Sequence, residues 1–251
     1  MDLQENIEQS RRVFDQILHD SAYSQLLADA DHLAGLIGLM DLQNGKHYLD
    51  LATGNGYIAF ELAQRFPQIW VTGLDITPNT IHLNRTQQQK TGLERLDFQL
   101  FDGIHYPFTD GMFDGIISRY AFHHFPDPDA SLLEFRRILN SGGFVIISDP
   151  STYDDDNDPF IEDFQRLRPD GHIHFYKSRE LIALFQRHGF KAEDSFVSRI
   201  SYPHNLTPDH IHLLEHTPVS VRQKYQVDIR DQQVFVTVQV MNIRFRLIDK
   251  G

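Results

Sequence analysis

Residues 47–66 read HYLDLATGNGYIAFELAQRF. The apolar run HYLDLA passes into a turn of small residues, Thr53-Gly54-Asn55-Gly56, and the turn opens onto YIAFELAQRF, whose apolar residues recur at helical spacing. Strand, glycine turn and helix in immediate succession begin a β-α-β unit. Small residues let main chain approach a ligand closely, and the free N–H groups at a helix start carry partial positive charge. Gly54-x-Gly56-x-x-Ala59 also fits the dinucleotide fingerprint, so the glycines alone choose no ligand.

Outward from this unit the same rhythm continues: WVTGLDI (70–76), TIHLNRTQQQKTG (80–92), LDFQLFD (96–102), FDGIISRYA (113–121), DASLLEFRRILNSGG (129–143) and FVIISDP (144–150). Short apolar runs alternating with helical stretches predict an α/β protein with a mostly parallel sheet and helices on both faces. Before it, Ile7, Val13, Phe14, Ile17, Leu18, Leu26, Leu27, Leu33, Leu36, Ile37 and Met40 recur at three-to-four spacing, predicting amphipathic helices from Glu5 to about Leu42 that Gly45 ends. After Pro150, an acidic run (Asp154 to Asp158) and PFIEDFQRLRPDGHIHFYK (159–177) form a segment too long for a plain connection. RELIALFQRHGF (179–190) resumes as helix, SFVSRISY (195–202) as strand, LTPDHIHLLEHTPVSVRQKY (206–225) as helix and QVFVTVQVMNIRFRL (233–247) as a β-branched strand. No linker separates folding units, so one domain is expected: a helical cap over 1–45, a core over 46–150, an insertion over 151–178 and the rest of the sheet over 179–251.

The chain has 251 residues, with 23 Lys plus Arg against 35 Asp plus Glu, a formal charge of −12. That balance argues against nucleic acid as a partner. The absence of cysteine excludes disulfides, thiolate metal sites and a cysteine nucleophile. The acidic start MDLQENIEQSRR is unlike a secretory signal and no apolar run reaches the roughly 20 residues of a membrane span, so a cytoplasmic protein is expected.

Asp75 closes its apolar run nineteen residues after Gly56. A carboxylate there accepts hydrogen bonds from both hydroxyls of a ribose, which suits a nicotinamide dinucleotide or S-adenosylmethionine. Asp50 sets a negative charge at the head of the turn, repelling a pyrophosphate and suiting a cofactor with a sulfonium and an amino group. It also reads as a strand-end residue bonding local amides.

In order along the chain, LDLATGNG (49–56), LDI (74–76), FDGIHYPFTDGMFDGI (101–116) and YAFHHFPDPDASLLEFRRILNSGGFVIISD (120–149) resemble the successive motifs of class I S-adenosylmethionine-dependent methyltransferases. The likeness is strongest to the small-molecule type 11 group, which includes the quinone-biosynthesis C-methyltransferases, and it covers about residues 47–190. It implies a Rossmann-like sheet of about seven strands with an antiparallel last strand. It implies that Ala52, Thr53, Gly54 and Gly56 hold the methionyl part of S-adenosylmethionine, with Asp50 at the head of the turn. Asp75 takes the ribose, Ile76 flanks the adenine, and Asp102, backed by Gly103 and Ile104, meets the adenine amino group. Ser118 and Arg119 line the methionine end and the mouth of the acceptor pocket. Three positions depart from the family: Ala52 for glycine, Thr53 for cysteine, Asn140-Ser141 for Lys-Pro. The extra methyl of Ala52 is tolerated if its φ is negative.

Methyl transfer from a sulfonium is an in-line displacement with a neutral leaving group, so holding the partners in line is the main requirement. An acceptor hydroxyl or enol-like carbon benefits from a base, for which His123, His124 and His172 are the candidates. The competing reading has His123 and His124 capping the next helix and packing on the sheet. Arg119 can pair with the cofactor carboxylate, with an acidic acceptor, or with an acid of the insertion. Phe160, Phe164, Phe175 and Tyr176 read as an aromatic lid or as the insertion's own core.

Asp154 to Asp158 is no calcium loop, because Pro159 and Gln165 stand where glycine and a bidentate glutamate are needed; a solvated turn capping a helix from Pro159 is expected instead. His212 and His216 have the spacing of a metal pair without an evident third ligand, and no metal is expected. The expected partner is a small-molecule acceptor, with a homodimer through the β-branched last strand left open. Two rivals stand beside methyl transfer: an NAD(P)-dependent oxidoreductase, and a module that binds S-adenosylmethionine without catalysis.

Overall fold

The computed structural model describes residues 3–17 and 28–248. Among these, eight strands form one sheet: β1 His47–Leu51, β2 Trp70–Asp75, β3 Leu96–Leu100, β4 Phe113–Arg119, β5 Leu139–Ser151, β6 Phe190–Asn205, β7 Asp228–Arg230 and β8 Gln233–Leu247. Their order is β3-β2-β1-β4-β5-β8-β6, with β7 paired to β8. The first five run parallel, and β8 lies antiparallel between β5 and β6. The strand order reverses between β1 and β4, which opens a crevice beyond their carboxyl ends.

Helices α1 (Leu3–Ile17) and α2 (Ala30–Leu39) precede the sheet; α3 (Tyr57–Arg65), α4 (Pro78–Thr91) and α5 (Pro128–Ile138) cross between parallel strands; α6 (Phe160–Arg166) and α7 (Ser178–Arg187) follow β5; α8 (Pro208–His216) and α9 (Val219–Lys224) follow β6. Strand alternation feeds two cores. Leu49, Leu51, Ile116 and Phe245 pack with Phe135 and Phe185 on one face, while Tyr48, Ile117 and Phe144 pack with Leu36, Leu62 and Phe98 on the other. Phe98 lies so close over β2 that a β-carbon at Gly73 would stand 2.5 Å from its ring. A third core, of Phe160, Phe164, Phe175, Leu214, Tyr225 and the start of β8, sits under the insertion.

Helix α1 is fastened at three places, in one of which Asp15 Oδ1 and Oδ2 accept from the amide (3.2 Å) and Nδ2 (2.6 Å) of Asn79 on α4. Arg11 Nε donates to Ile76 O (2.9 Å) at the end of β2, while Asn6 Nδ2 and Ser10 Oγ donate to Gly171 O and Asp170 O (both 3.1 Å) in the insertion.

Three differences from the sequence reading bear on the fold. The sheet has eight strands where about seven were expected, because Asp231 and Gln232 take φ +52° and +60° and fold Asp228–Arg230 back onto β8. That is a tight hairpin made without the usual glycine. The helix expected through Gly143 stops at Ile138, and Leu139 to Gly143 join β5 across a register shift opposite Phe113 and Gly115. Asp156 is buried, accepting a hydrogen bond from Tyr225 Oη, so the acidic turn is not wholly solvated. Helical character expected at Leu18, Leu26 and Leu27 lies outside the described residues.

Candidate active site

A cleft enclosing about 1100 Å³, part of it open to solvent, lies beyond the carboxyl ends of β1, β2 and β4. Its floor is the glycine turn. Asp50 Oδ2 accepts from Thr53 Oγ1 (2.6 Å) and Ala59 N (3.1 Å), and Asp50 also lines the cleft, so the local and ligand-facing readings meet in one side chain. Burial pushes its carboxyl up to about 6, against the pull of those two donors. Asp75 Oδ2 accepts from Gly54 N (2.8 Å), and its Oδ1 from the amide (3.0 Å) and hydroxyl (2.7 Å) of Thr77. Burial raises this carboxyl too. Asp75 and Ile76 line the cleft beside Ala52, Thr53 and Gly54, and Asn84 Nδ2 ties the turn down through Gly54 O (2.7 Å). Gly56, with φ +79°, is the amino-terminal cap of α3 and does not line the cleft; a β-carbon there would meet Phe60 at 2.8 Å. Ala52 has φ +56°, so the condition set for tolerating its methyl is not met and the turn carries strain at that residue.

Asp102 lies in the loop after β3. Its carboxylate turns into its own loop, Oδ1 accepting from Ile104 N (2.8 Å) and His105 N (2.7 Å) and Oδ2 facing His105 Nδ1 (2.6 Å). What burial it has works against ionisation, but the His105 ring and the two amides together hold the group down at about 2. Gly103 lines the cleft; Asp102 and Ile104 do not. Ser118 is buried within the sheet, its Oγ without a hydrogen-bond partner, and lines no part of the cleft.

Arg119 does line it. Its guanidinium lies 4.1 Å from the Tyr120 ring centre and 5.4 Å from that of Tyr57, and its Nε donates to His32 Nδ1 (3.2 Å). Tyr120 takes φ +57°, a costly conformation for a bulky residue.

The three histidine candidates separate. His123 is buried against Asp149, whose carboxylate accepts from the His123 amide (2.9 Å) and faces its Nδ1 (3.0 Å). Burial lowers the imidazole and raises the carboxyl, so a neutral ring braces the turn Phe122–His124; the next helix is capped by Asp127, whose Oδ1 accepts from Ala130 N (2.9 Å), and not by either histidine. His172 meets Glu162 at 2.8 Å and lines neither cavity. His124 lines both the cleft and an adjoining cavity of about 410 Å³ that shares Phe14 and Tyr120 with it. Its Nδ1 is buried without a hydrogen-bond partner, and burial holds the ring neutral.

Phe160, Phe164 and Phe175 belong to the core beneath the insertion, while Tyr176 packs on Phe122. His212 and His216 lie ring to ring at 4.3 Å, and among the described residues no three His, Asp or Glu side chains gather to hold a metal. No helix among them is long and apolar enough to cross a membrane.

Sequence reasoning missed Phe14, Tyr57, Tyr120 and His32. The aromatic in Arg119-Tyr120-Ala121 at a strand end was a usable signal for Tyr120. His32 was masked by the apolar repeat of α2, in which Leu33 and Leu36 are buried beside it.

A family model described as a methyltransferase domain matches residues 42–189, more than half of the chain. The demethylmenaquinone methyltransferase of Deinococcus radiodurans is 35% identical over 104 residues, 41% of this chain and 42% of that protein. An uncharacterized methyltransferase of Bacillus subtilis, YcgJ, is 26% identical over 171 residues, 68% of this chain and 67% of its own length. The YcgJ crystal structure matches with a TM-score of 0.76 at 22% identity, covering 88% of this chain and all of that one. A phosphoethanolamine N-methyltransferase of Haemonchus contortus, solved with phosphomonomethylethanolamine and S-adenosylhomocysteine, matches with a TM-score of 0.70 at 16% identity over 99% of this chain and 61% of that one. At these identities the structures share a fold. The chain spans less than half the length of the curated demethylmenaquinone methyltransferases it matches.

Proposed function

The chain belongs to the methyltransferase-domain family, and from that premise we propose that it transfers the methyl group of S-adenosylmethionine to a small-molecule acceptor. One observation carries the reading: a single cleft offers the Asp50 carboxylate beside the glycine turn, the Arg119 guanidinium at the end of β4, and a second carboxylate, Asp75, at the end of β2. A zwitterionic amino-acid group finds opposite charges in the first two, and a ribose finds its acceptor in the third.

When bound, S-adenosylmethionine supplies an electrophilic methyl group on a sulfonium. In this reading Asp50 receives its ammonium, Arg119 its carboxylate, Asp75 its ribose hydroxyls, and Ile76 and Gly103 flank the adenine. Ala52, Thr53 and Gly54 pass beside the methionyl chain. Gly56, Asp102, Ile104 and Ser118 support the walls from outside the contact surface. His124 is the base where an acceptor must lose a proton, since its ring is neutral, its Nδ1 has no hydrogen-bond partner and the residue lines both cavities. His123 and His172 support it through their carboxylate partners.

Calorimetric titration with S-adenosylhomocysteine and with NAD tests this. Binding of the first is expected; binding of NAD alone would favour an oxidoreductase. An Asp50 ionised above about pH 6 opposes a pyrophosphate at the turn. Radiolabelled methyl transfer into a metabolite extract then separates an enzyme from a binding module.

A further inference from the structure

Arg119 is aimed by hydrogen bonds that begin on β8, away from the cleft. Asn242, fully buried there, uses its Nδ2 toward Phe196 O (3.3 Å), Ser198 Oγ (3.1 Å) and Val240 O (3.2 Å). Those acceptors fix which end of the amide is nitrogen, so Oδ1 faces His32 Nε2 at 2.8 Å as an acceptor. The ring proton of His32 is thereby set on Nε2, and Nδ1 keeps a lone pair. Two donors converge on it: Arg119 Nε and Tyr120 Oη, each at 3.2 Å. Ser148 Oγ also lies 3.2 Å from Nε2, and the His32 ring stacks on Tyr120 with centres 5.6 Å apart. Burial further disfavours a second proton on the ring.

We propose that His32 is a positioning residue: by accepting from Arg119 Nε it holds the guanidinium so that its outer edge meets the carboxylate of the cofactor's amino-acid group. This rests on the reading of the cleft as an S-adenosylmethionine site. A long, flexible arginine binds a carboxylate well only when its fork is already oriented. The α2 histidine supplies that orientation without touching the ligand.

The test compares two probes. S-adenosylhomocysteine carries the amino acid; 5′-methylthioadenosine keeps the adenosine and sulfur but lacks it. For His32→Leu, affinity for S-adenosylhomocysteine is expected to fall about tenfold while that for methylthioadenosine changes less than about twofold. His32→Asn, whose Oδ1 can stand in for Nδ1, restores most of the loss. In an Arg119→Leu background His32→Leu adds nothing further. Asn242→Leu, which frees the tautomer and leaves the ring, gives a smaller loss with the same selectivity and serves should His32→Leu fail to fold. Equal loss of both probes, no loss of either, or an undiminished effect without Arg119 would overturn the proposal. Failure of the wild-type protein to bind S-adenosylhomocysteine would refute the methyltransferase reading itself, and that result appears before any variant is made.

Discussion

At Ala52 the main chain turns through φ +56°, and at Tyr120 through +57°, so the ends of β1 and β4 on either side of the cleft are both held in a conformation that L-residues resist. Glycine relieves this at Ala52: Ala52→Gly is expected to raise stability by about 0.5–1 kcal/mol in chemical denaturation, since the left-handed strain lost outweighs the entropy gained by the unfolded chain. Asp50 shows a different conflict. Its carboxyl ionises at about 6 in the fold against 3.8 ordinarily, because burial disfavours the charge. Between those values the native state keeps a proton the unfolded chain has released, so this group's contribution to stability declines as pH rises from 3.8 to 6 and is level above. Asp50→Asn is therefore expected to stabilise the ligand-free protein at neutral pH by on the order of 1–2 kcal/mol. The same change is expected to weaken S-adenosylhomocysteine, whose wild-type affinity should rise through about pH 6. Thermal melts and calorimetry across pH 5–8 check both halves. Asp50 and Asp75 were legible because strand-end spacing alone places them. The bonding of the Asp102 carboxylate to its own loop was not, because it depends on loop dihedrals that the letters do not carry.

Among the elements, strands β1, β2 and β4 and the helices between them were readable from the alternation of apolar runs with helical repeats. Boundaries that depend on pairing were not. Leu139 to Gly143 continue β5 because Asn140 Nδ2 reaches Asp114 Oδ1 (3.0 Å), a contact 26 residues away in sequence. Likewise β7 exists only because two non-glycine residues accept positive φ. The fit of β2 against its neighbour is tight enough to test. Gly73→Ala places a methyl 2.5 Å from the Phe98 ring and 2.9 Å from Thr53 Oγ1. It is expected to cost about 1–3 kcal/mol by overpacking, read as a lower denaturation midpoint at unchanged slope.

On the scale of the whole molecule, the sheet, its two faces and a helical cap over 1–45 were expected from the sequence, while the residues of α1 that face the crevice were not. Periodicity shows that a helix has an apolar side, and only the fold shows what that side covers: Ile7, Ser10 and Phe14 roof the cleft. The fastening of α1 to the insertion invites a direct test in a chain with no cysteine of its own. A β-carbon at Gly171 would stand 3.3 Å from that of Ser10, close to disulfide spacing. Oxidised Ser10→Cys/Gly171→Cys protein is expected to turn over at a small fraction of the rate of its reduced form, with dithiothreitol restoring activity.

A roof bonded to the end of β2, to α4 and to the insertion means that a molecule reaching from Arg119 to Ile76 leaves on that side of the cleft only once Arg11, Asp15, Asn6 and Ser10 release their partners. Where that side is the exit, departure of the spent nucleotide would be the slow event of each cycle, and saturating turnover would track solvent viscosity and the fraying of this helix rather than the bond-making at the centre of the cleft.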